Sequence, residues 1–196
     1  MKEIMERRSI RKYKSDTVRK EDIATIIQAG TKAPSAKNRQ PWKYIVYTSD
    51  AKNQLLDEME KGLIRERDGK KLLPKSQNGL ADAFYTLNVM REAPVLIMII
   101  NINGRSLLKD IDVDERVTEI CDTLSIGASV ENMLLAATEL GYGTLWIANT
   151  CFAYEELVNY MKITGQLIGA ISLGLPAENP NPRPRKSMED VVEYRV

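Results

Sequence analysis

The sequence predicts one domain in which helices and strands alternate, and three observations carry that prediction. The chain has 196 residues, a length that suits a single domain with a sizeable core. Hydrophobic residues make up 43% and charged residues 28%, which excludes a disordered or low-complexity chain. Four short runs rich in apolar, aromatic or β-branched residues are separated by segments with helical spacing.

The first helix follows from Ile23, Ile26, Ile27 and Gly30, whose i, i+3, i+4, i+7 spacing lays one apolar stripe against a core; it ends near Pro34. After a turn-rich stretch, residues 42–47 are dense in aromatic and β-branched residues and read as a strand. Ser49 or Asp50 caps a second helix that buries Leu55, Leu56, Met59 and Leu63. Residues 65–79 are charged and contain glycine, which predicts a surface loop or lid. A helix over residues 81–92 leads through Pro94 to residues 95–100, an unbroken apolar run of the kind buried on both faces at the centre of a sheet.

Residues 103–119 are charged and weakly periodic. Residues 120–140 are apolar or small around nearly the whole helix, with Glu131 and Asn132 as the main interruptions. One sheet covers only one side of such a helix, so the pattern predicts a subunit interface and a dimer. Gly141 and Gly143 end it and lead into a strand at residues 144–148, a short helix at 154–161 and a strand at 168–173. Pro176, Pro180, Pro182 and Pro184 forbid a helix through the tail, so residues 175–186 are extended.

A formal charge of +1 gives no global reason to expect nucleic acid or an anionic membrane as partner. The chain has no histidine, which removes imidazole bases, Ser-His and Cys-His pairs, and His metal ligands. Cys121 and Cys151 are too few and too far apart for a zinc site or a CxxC redox pair, and read as core thiols in a reducing compartment. Trp42 and Trp146 read as packing residues that also border any ring held nearby. The first fifteen residues are polar and basic, and residues 95–100 are too short to span a bilayer, so the expectation is a soluble, cytoplasmic protein.

Four clusters offer chemistry. Arg7, Arg8, Ser9 and Arg11 put three guanidinium forks and a hydroxyl within five positions, a composition matched to one terminal phosphate; a solvated basic face has the same composition. Residues 33–42 crowd small residues, prolines and amides before a strand, where Asn38 and Gln40 can read a heterocycle edge or simply cap their own loop. Arg183, Arg185 and Lys186 sit on a proline-stiffened tail. Gly141-Tyr142-Gly143-Thr144 follows a helix and precedes a strand, the wrong order for a dinucleotide fingerprint, and reads as a helix stop.

Taken in order, these stretches resemble the nitroreductase family of flavoproteins, and the resemblance covers essentially the whole chain. Its carriers are Arg7-Arg8-Ser9-Ile10-Arg11-Lys12-Tyr13, then Ala33-Pro34-Ser35-Ala36 with Asn38 and Gln40-Pro41-Trp42. The helix segment from Gly127 to Ala137, the run Leu140-Gly141-Tyr142-Gly143-Thr144-Leu145-Trp146-Ile147, Leu173-Gly174-Leu175-Pro176 and the closing Arg183-Pro184-Arg185-Lys186 with its continuation to Val192 complete it. The resemblance implies an α+β fold with a mostly antiparallel sheet flanked by helices. It also implies an intertwined homodimer joined through the long central helix, a tail that crosses to the partner, and FMN at each interface site. Arg7, Ser9, Arg11, Arg183 and Arg185 would hold the phosphate, ribityl or pyrimidine edge, with Arg11 as the charge that tunes the flavin. Many members carry His where this chain has Arg8, which would then add positive potential.

Pro34, Ser35, Ala36, Asn38 and Gln40 would come from the other subunit. Trp146, Ile147, Ala148 and Asn149 would face the flavin near N5, and Asn88, with Thr86 as a competing alignment, the pyrimidine edge. The implied activity is ping-pong transfer from NADH or NADPH through FMN to a nitroaromatic, quinone or related acceptor, with no side-chain base required. Alternatives within the family are dehalogenation, azoline oxidation and flavin fragmentation. Outside it stand a flavin carrier without turnover and a basic nucleic-acid-binding module, which near-zero net charge disfavours.

Overall fold

The computed structural model describes residues 1–195. Strands β1 (Trp42–Thr48), β2 (Val95–Asn101), β3 (Gly143–Ile147) and β4 (Gln166–Gly174) form one sheet in the order β1-β2-β4-β3, and every neighbouring pair is antiparallel. The α-helices are α1 (Lys2–Glu6), α2 (Lys20–Thr31), α3 (Ser49–Asp68), α4 (Leu80–Glu92), α5 (Val113–Glu139) and α6 (Tyr154–Met161). This is the expected α+β arrangement of a small antiparallel sheet flanked by helices.

β2 lies between β1 and β4, and all seven of its residues are buried, as its unbroken apolar run predicts. The two-residue period of a strand divides it between two cores. Leu96, Met98 and Ile100 join Leu55, Leu56 and Met59 of α3 and Leu87 and Met90 of α4. Val95, Ile97 and Ile99 face Ile23 and Ile26 of α2 and Ile126, Val130 and Met133 of α5. Trp42 belongs to the second core, whereas Trp146, on the edge strand β3, is 44% exposed and is no core residue. Cys121 and Cys151 are likewise only partly buried, a correction to their reading as core thiols.

α5 begins seven residues ahead of the apolar segment that predicts it. An Asp112 carboxylate oxygen accepts the Glu115 N–H at 2.8 Å, and the Glu115 carboxylate accepts the Asp112 N–H at 3.2 Å. This capping box satisfies two backbone donors at the helix start and holds the charged first turns in place. Nor is the helix covered all round in one chain. Val113, Val117, Ile120 and Leu124 are exposed at i, i+4, i+7, i+11, an apolar stripe along one side.

Residues 65–79 are a second correction, because they are tied down rather than free as a lid. α3 continues to Asp68, and its fully buried Glu66 accepts the N–H groups of Leu72 at 2.8 Å and Leu73 at 2.9 Å and the side-chain amide of Gln77 at 2.9 Å. The Arg65 guanidinium completes the set at 2.8 Å. Burial opposes ionisation, but these donors together outweigh it and hold the Glu66 carboxyl below its ordinary range.

A carboxyl with a depressed folded value contributes stability above its unfolded value and loses it as pH falls through the folded one. Glu66→Gln is therefore expected to cost about 1–3 kcal/mol at neutral pH. In urea denaturation the gap between wild type and variant should close as pH drops below ~4.

Candidate functional site

The two ends of the chain meet at the free edge of β3. Ser9 forms a parallel bridge to Thr144, and the Ile10 N–H donates to the Thr144 carbonyl oxygen at 2.9 Å. Beyond the end of β4 the same segment pairs with the start of the tail: Lys14 N–H donates to Leu175 O and Ala177 N–H to Lys12 O, both at 2.9 Å. Ile10 and Tyr13 point inward and are buried, which leaves Arg7, Ser9 and Arg11 free to line a surface. Burial pushes the Tyr13 phenol well above its ordinary value, so it stays protonated. It donates to the Ile10 carbonyl oxygen at 2.9 Å and shares a hydrogen bond with the Ser172 hydroxyl at 2.9 Å. The close approach needs Gly143, since a Cβ there would lie 2.7–2.9 Å from three Ile10 side-chain atoms.

Arg7, Arg8, Ser9 and Arg11 line a cavity of about 120 Å³ together with Arg183 and Arg185, and Pro180, Asn181 and Pro182 close it. Segments some 175 positions apart thus bring five guanidinium groups and a hydroxyl to one cavity. Arg7 and Ser9 also line a second cavity, of about 380 Å³, with Glu131, Leu134, Thr144, Trp146 and Ala148. The two cavities share a wall, one end rich in anion-binding donors and the other floored by an exposed indole on a strand edge. Arg8 spends part of its guanidinium on its own chain, donating to Met5 O at 2.7 Å and Arg7 O at 2.8 Å.

The other sequence-predicted residues are placed less uniformly. Ile147 is buried, because strand alternation turns its side chain into the core, so only its backbone is available. Asn149 opens a short 3₁₀ turn and donates to the Thr86 hydroxyl at 3.0 Å and Asp82 at 3.3 Å. Asn88 is exposed on α4 and, like Asn149, lines neither cavity; Thr86 and Asp82 are the α4 residues that meet Asn149. Pro34, Ser35, Ala36, Asn38 and Gln40 also line neither cavity of this chain.

That loop is nevertheless built. Lys37, Asn38 and Gln40 all have φ between 46° and 54°, a left-handed conformation that costs non-glycine residues energy. It persists because α5 holds it: Ala36 N–H donates to the Ser125 hydroxyl at 3.2 Å and the Arg39 guanidinium to Asp122 at 2.8 Å. Ser35 closes the turn by accepting the Gln40 N–H at 3.0 Å.

Sequence reasoning missed Glu131, whose carboxylate lies 3.5 Å from Arg7 Nε inside the second cavity. The signal was an acid interrupting an apolar helix. It also missed Glu178, whose carboxylate accepts the Arg11 N–H at 2.6 Å. No local pattern marks that contact, which spans 167 positions.

A model of the nitroreductase family matches residues 4–175, and the chain belongs to that family. A relative from Archaeoglobus fulgidus, provisionally named NADH dehydrogenase/NAD(P)H nitroreductase, is 29% identical over 187 residues, covering 91% of this chain and 86% of its own length. The NADPH-flavin oxidoreductase of Vibrio harveyi is 26% identical over 193 residues, covering 96% of this chain and 70% of its own. Among solved structures, a provisionally assigned nitroreductase of Desulfovibrio desulfuricans in complex with FMN superposes with a TM-score of 0.73 at 26% identity, over 100% of this chain and 96% of that one.

Gly143→Ala should force Ile10 off β3. The expected result is a loss of about 1–3 kcal/mol, read as a lowered Tm, with faster hydrogen exchange at the Ile10 amide.

Proposed function

We propose that the protein is an FMN-dependent NAD(P)H oxidoreductase. The observation that carries this reading is the joined pair of cavities, which matches a molecule with an anionic tail and a flat aromatic head. Five guanidiniums and the Ser9 hydroxyl suit the oxygens of a phosphate monoester, and the neighbouring indole, backbone edge and small Ala148 suit a ring system. Family membership and the FMN complex of the Desulfovibrio relative support it. Bound FMN supplies the hydride and electron chemistry itself, in agreement with a chain that has no histidine.

The chain's part is to hold and tune. Arg7, Ser9, Arg11, Arg183 and Arg185 hold the phosphate end and Arg8 adds positive potential; Arg11, which lines only the anion cavity, favours electron uptake by the ring only through its long-range positive potential. Trp146 and Ala148 border the ring with the backbone of Ile147. Asn149, held by Thr86, stands at the N5 side, and Asn88 and Thr86 remain the α4 candidates for the pyrimidine edge.

The site is completed by a second copy. The apolar stripe Val113, Val117, Ile120 and Leu124 pairs two α5 helices, and the strained loop anchored to α5 brings Pro34, Ser35, Ala36, Asn38 and Gln40 to the partner's site. Past residue 186 the tail reaches the partner with Met188, Val191 and Tyr194, all exposed in one chain. One pocket then serves NAD(P)H and a nitroaromatic, quinone or related small acceptor in turn.

Purified protein should take up FMN, lose its yellow colour on anaerobic NADPH or NADH and regain it with a quinone; a flavin colour that neither nucleotide bleaches would leave only a carrier. Arg7→Ala and Arg183→Ala should each weaken FMN binding about tenfold or more in a fluorescence titration. Leu124→Glu, which puts a charge on the stripe, should elute as a monomer in size-exclusion chromatography and lose FMN with it.

A further inference from the structure

We infer that Glu178 is a positioning residue, the clasp that ends the ladder between the two arginine-bearing segments and aims the tail so that Arg183 and Arg185 reach the cavity of Arg7 and Arg11. The ligand side of this inference rests on the flavin reading above; the clasp itself rests on geometry.

The ladder runs through backbone groups as far as it can. Lys14 donates to Leu175, Tyr13 bridges Pro176, and Ala177 donates back to Lys12. The backbone rungs stop at Ala177, just before Glu178-Asn179 and the prolines at 180, 182 and 184 that stiffen the rest of the tail. A side chain takes over there, and the Glu178 carboxylate accepts the Arg11 N–H at 2.6 Å, the short distance of a charge-assisted bond. Glu178 is partly buried, lies outside the arginine-lined cavity and lines the adjoining groove with Arg8, Ile10 and Asn181. It therefore does not occupy the anion's place.

Its leverage comes from the prolines. An extended proline-rich chain advances about 3.1 Å per residue and bends little, so Arg183 stands on a stiff arm of about 15 Å from the clasp. A change of about 10° at Glu178 moves the Arg183 backbone by roughly 2–3 Å, enough to break a guanidinium–phosphate hydrogen bond. The rival role for an acid beside five arginines is to dilute their charge, and it predicts the opposite sign: removing the acid would tighten anion binding.

The test is titration of the full-length protein, wild type, Glu178→Ala and Glu178→Gln, with FMN and with riboflavin, which lacks the phosphate. Glu178→Ala should weaken FMN about tenfold and riboflavin by less than about twofold. Glu178→Gln keeps an oxygen that accepts the Arg11 N–H, and should restore FMN affinity to within about twofold to threefold of wild type. Hydrogen exchange at the Arg11 amide, which needs no flavin, should speed up in the alanine variant and stay slow in the glutamine one. Unchanged or tighter FMN binding in Glu178→Ala overturns the proposal, as does an equal loss for both flavins. A wild type that takes up neither flavin would sink the functional reading instead, and the clasp would then stand or fall on the Arg11 amide.

Discussion

The hydrogen bonds that add residues 9–14 to the end of the sheet are the constraint on which the rest of the structure depends. They are short-range in space and very long-range in sequence, so their formation requires that β3 and β4 already lie side by side. Once they form, Ile10 and Tyr13 are driven inward by burial, and the polar residues between them have only the outer surface to occupy. A segment that began as a run of basic residues becomes one wall of a cavity.

Gathering like charges is unfavourable, and Glu131 of α5 limits the cost beside Arg7. Glu178 has a different part, holding the backbone of Arg11 from outside the cavity. The net charge of the whole chain, +1, conceals this local excess. The arrangement suits a ligand that brings its own negative charge, because an anion relieves the repulsion that its absence leaves in place.

α5 does three jobs with three sides. Ile126, Val130 and Met133 fill the core under β2, Asp122 and Ser125 hold the strained loop, and Val113, Val117, Ile120 and Leu124 lie open to pair with the second copy proposed here. The loop and the stripe therefore move as one body with the helix. In a dimer built on that stripe, any shift of the interface would carry the loop with it, which ties the completeness of each site to association.

Much was legible before any coordinates. The strand at β2 is legible because a run buried on both faces needs no periodicity, and the α2 and α3 stripes because burial on one side leaves a 3.6-residue signature. The start of α5 was missed although its Asp112-to-Glu115 capping box was in view, since the exposed apolar side of its first turns dilutes the pattern. Residues 65–79 read as a lid because one buried glutamate, with no local signature, supplies the order.

By itself the sequence determined the element types, the antiparallel α+β class through family resemblance, and the residue types available for an anion and a ring. Those properties are written in composition and in spacings of two to four residues. It took the folded chain to show that Arg7 and Arg183 share a cavity, that Trp146 lies open while Trp42 is buried, that Thr86 and Asp82 hold Asn149, and that Glu178 bonds the Arg11 backbone. Each of these depends on which strand edge is left free and which side chains face it, and that follows from chain crossings between distant segments, which no local spacing encodes.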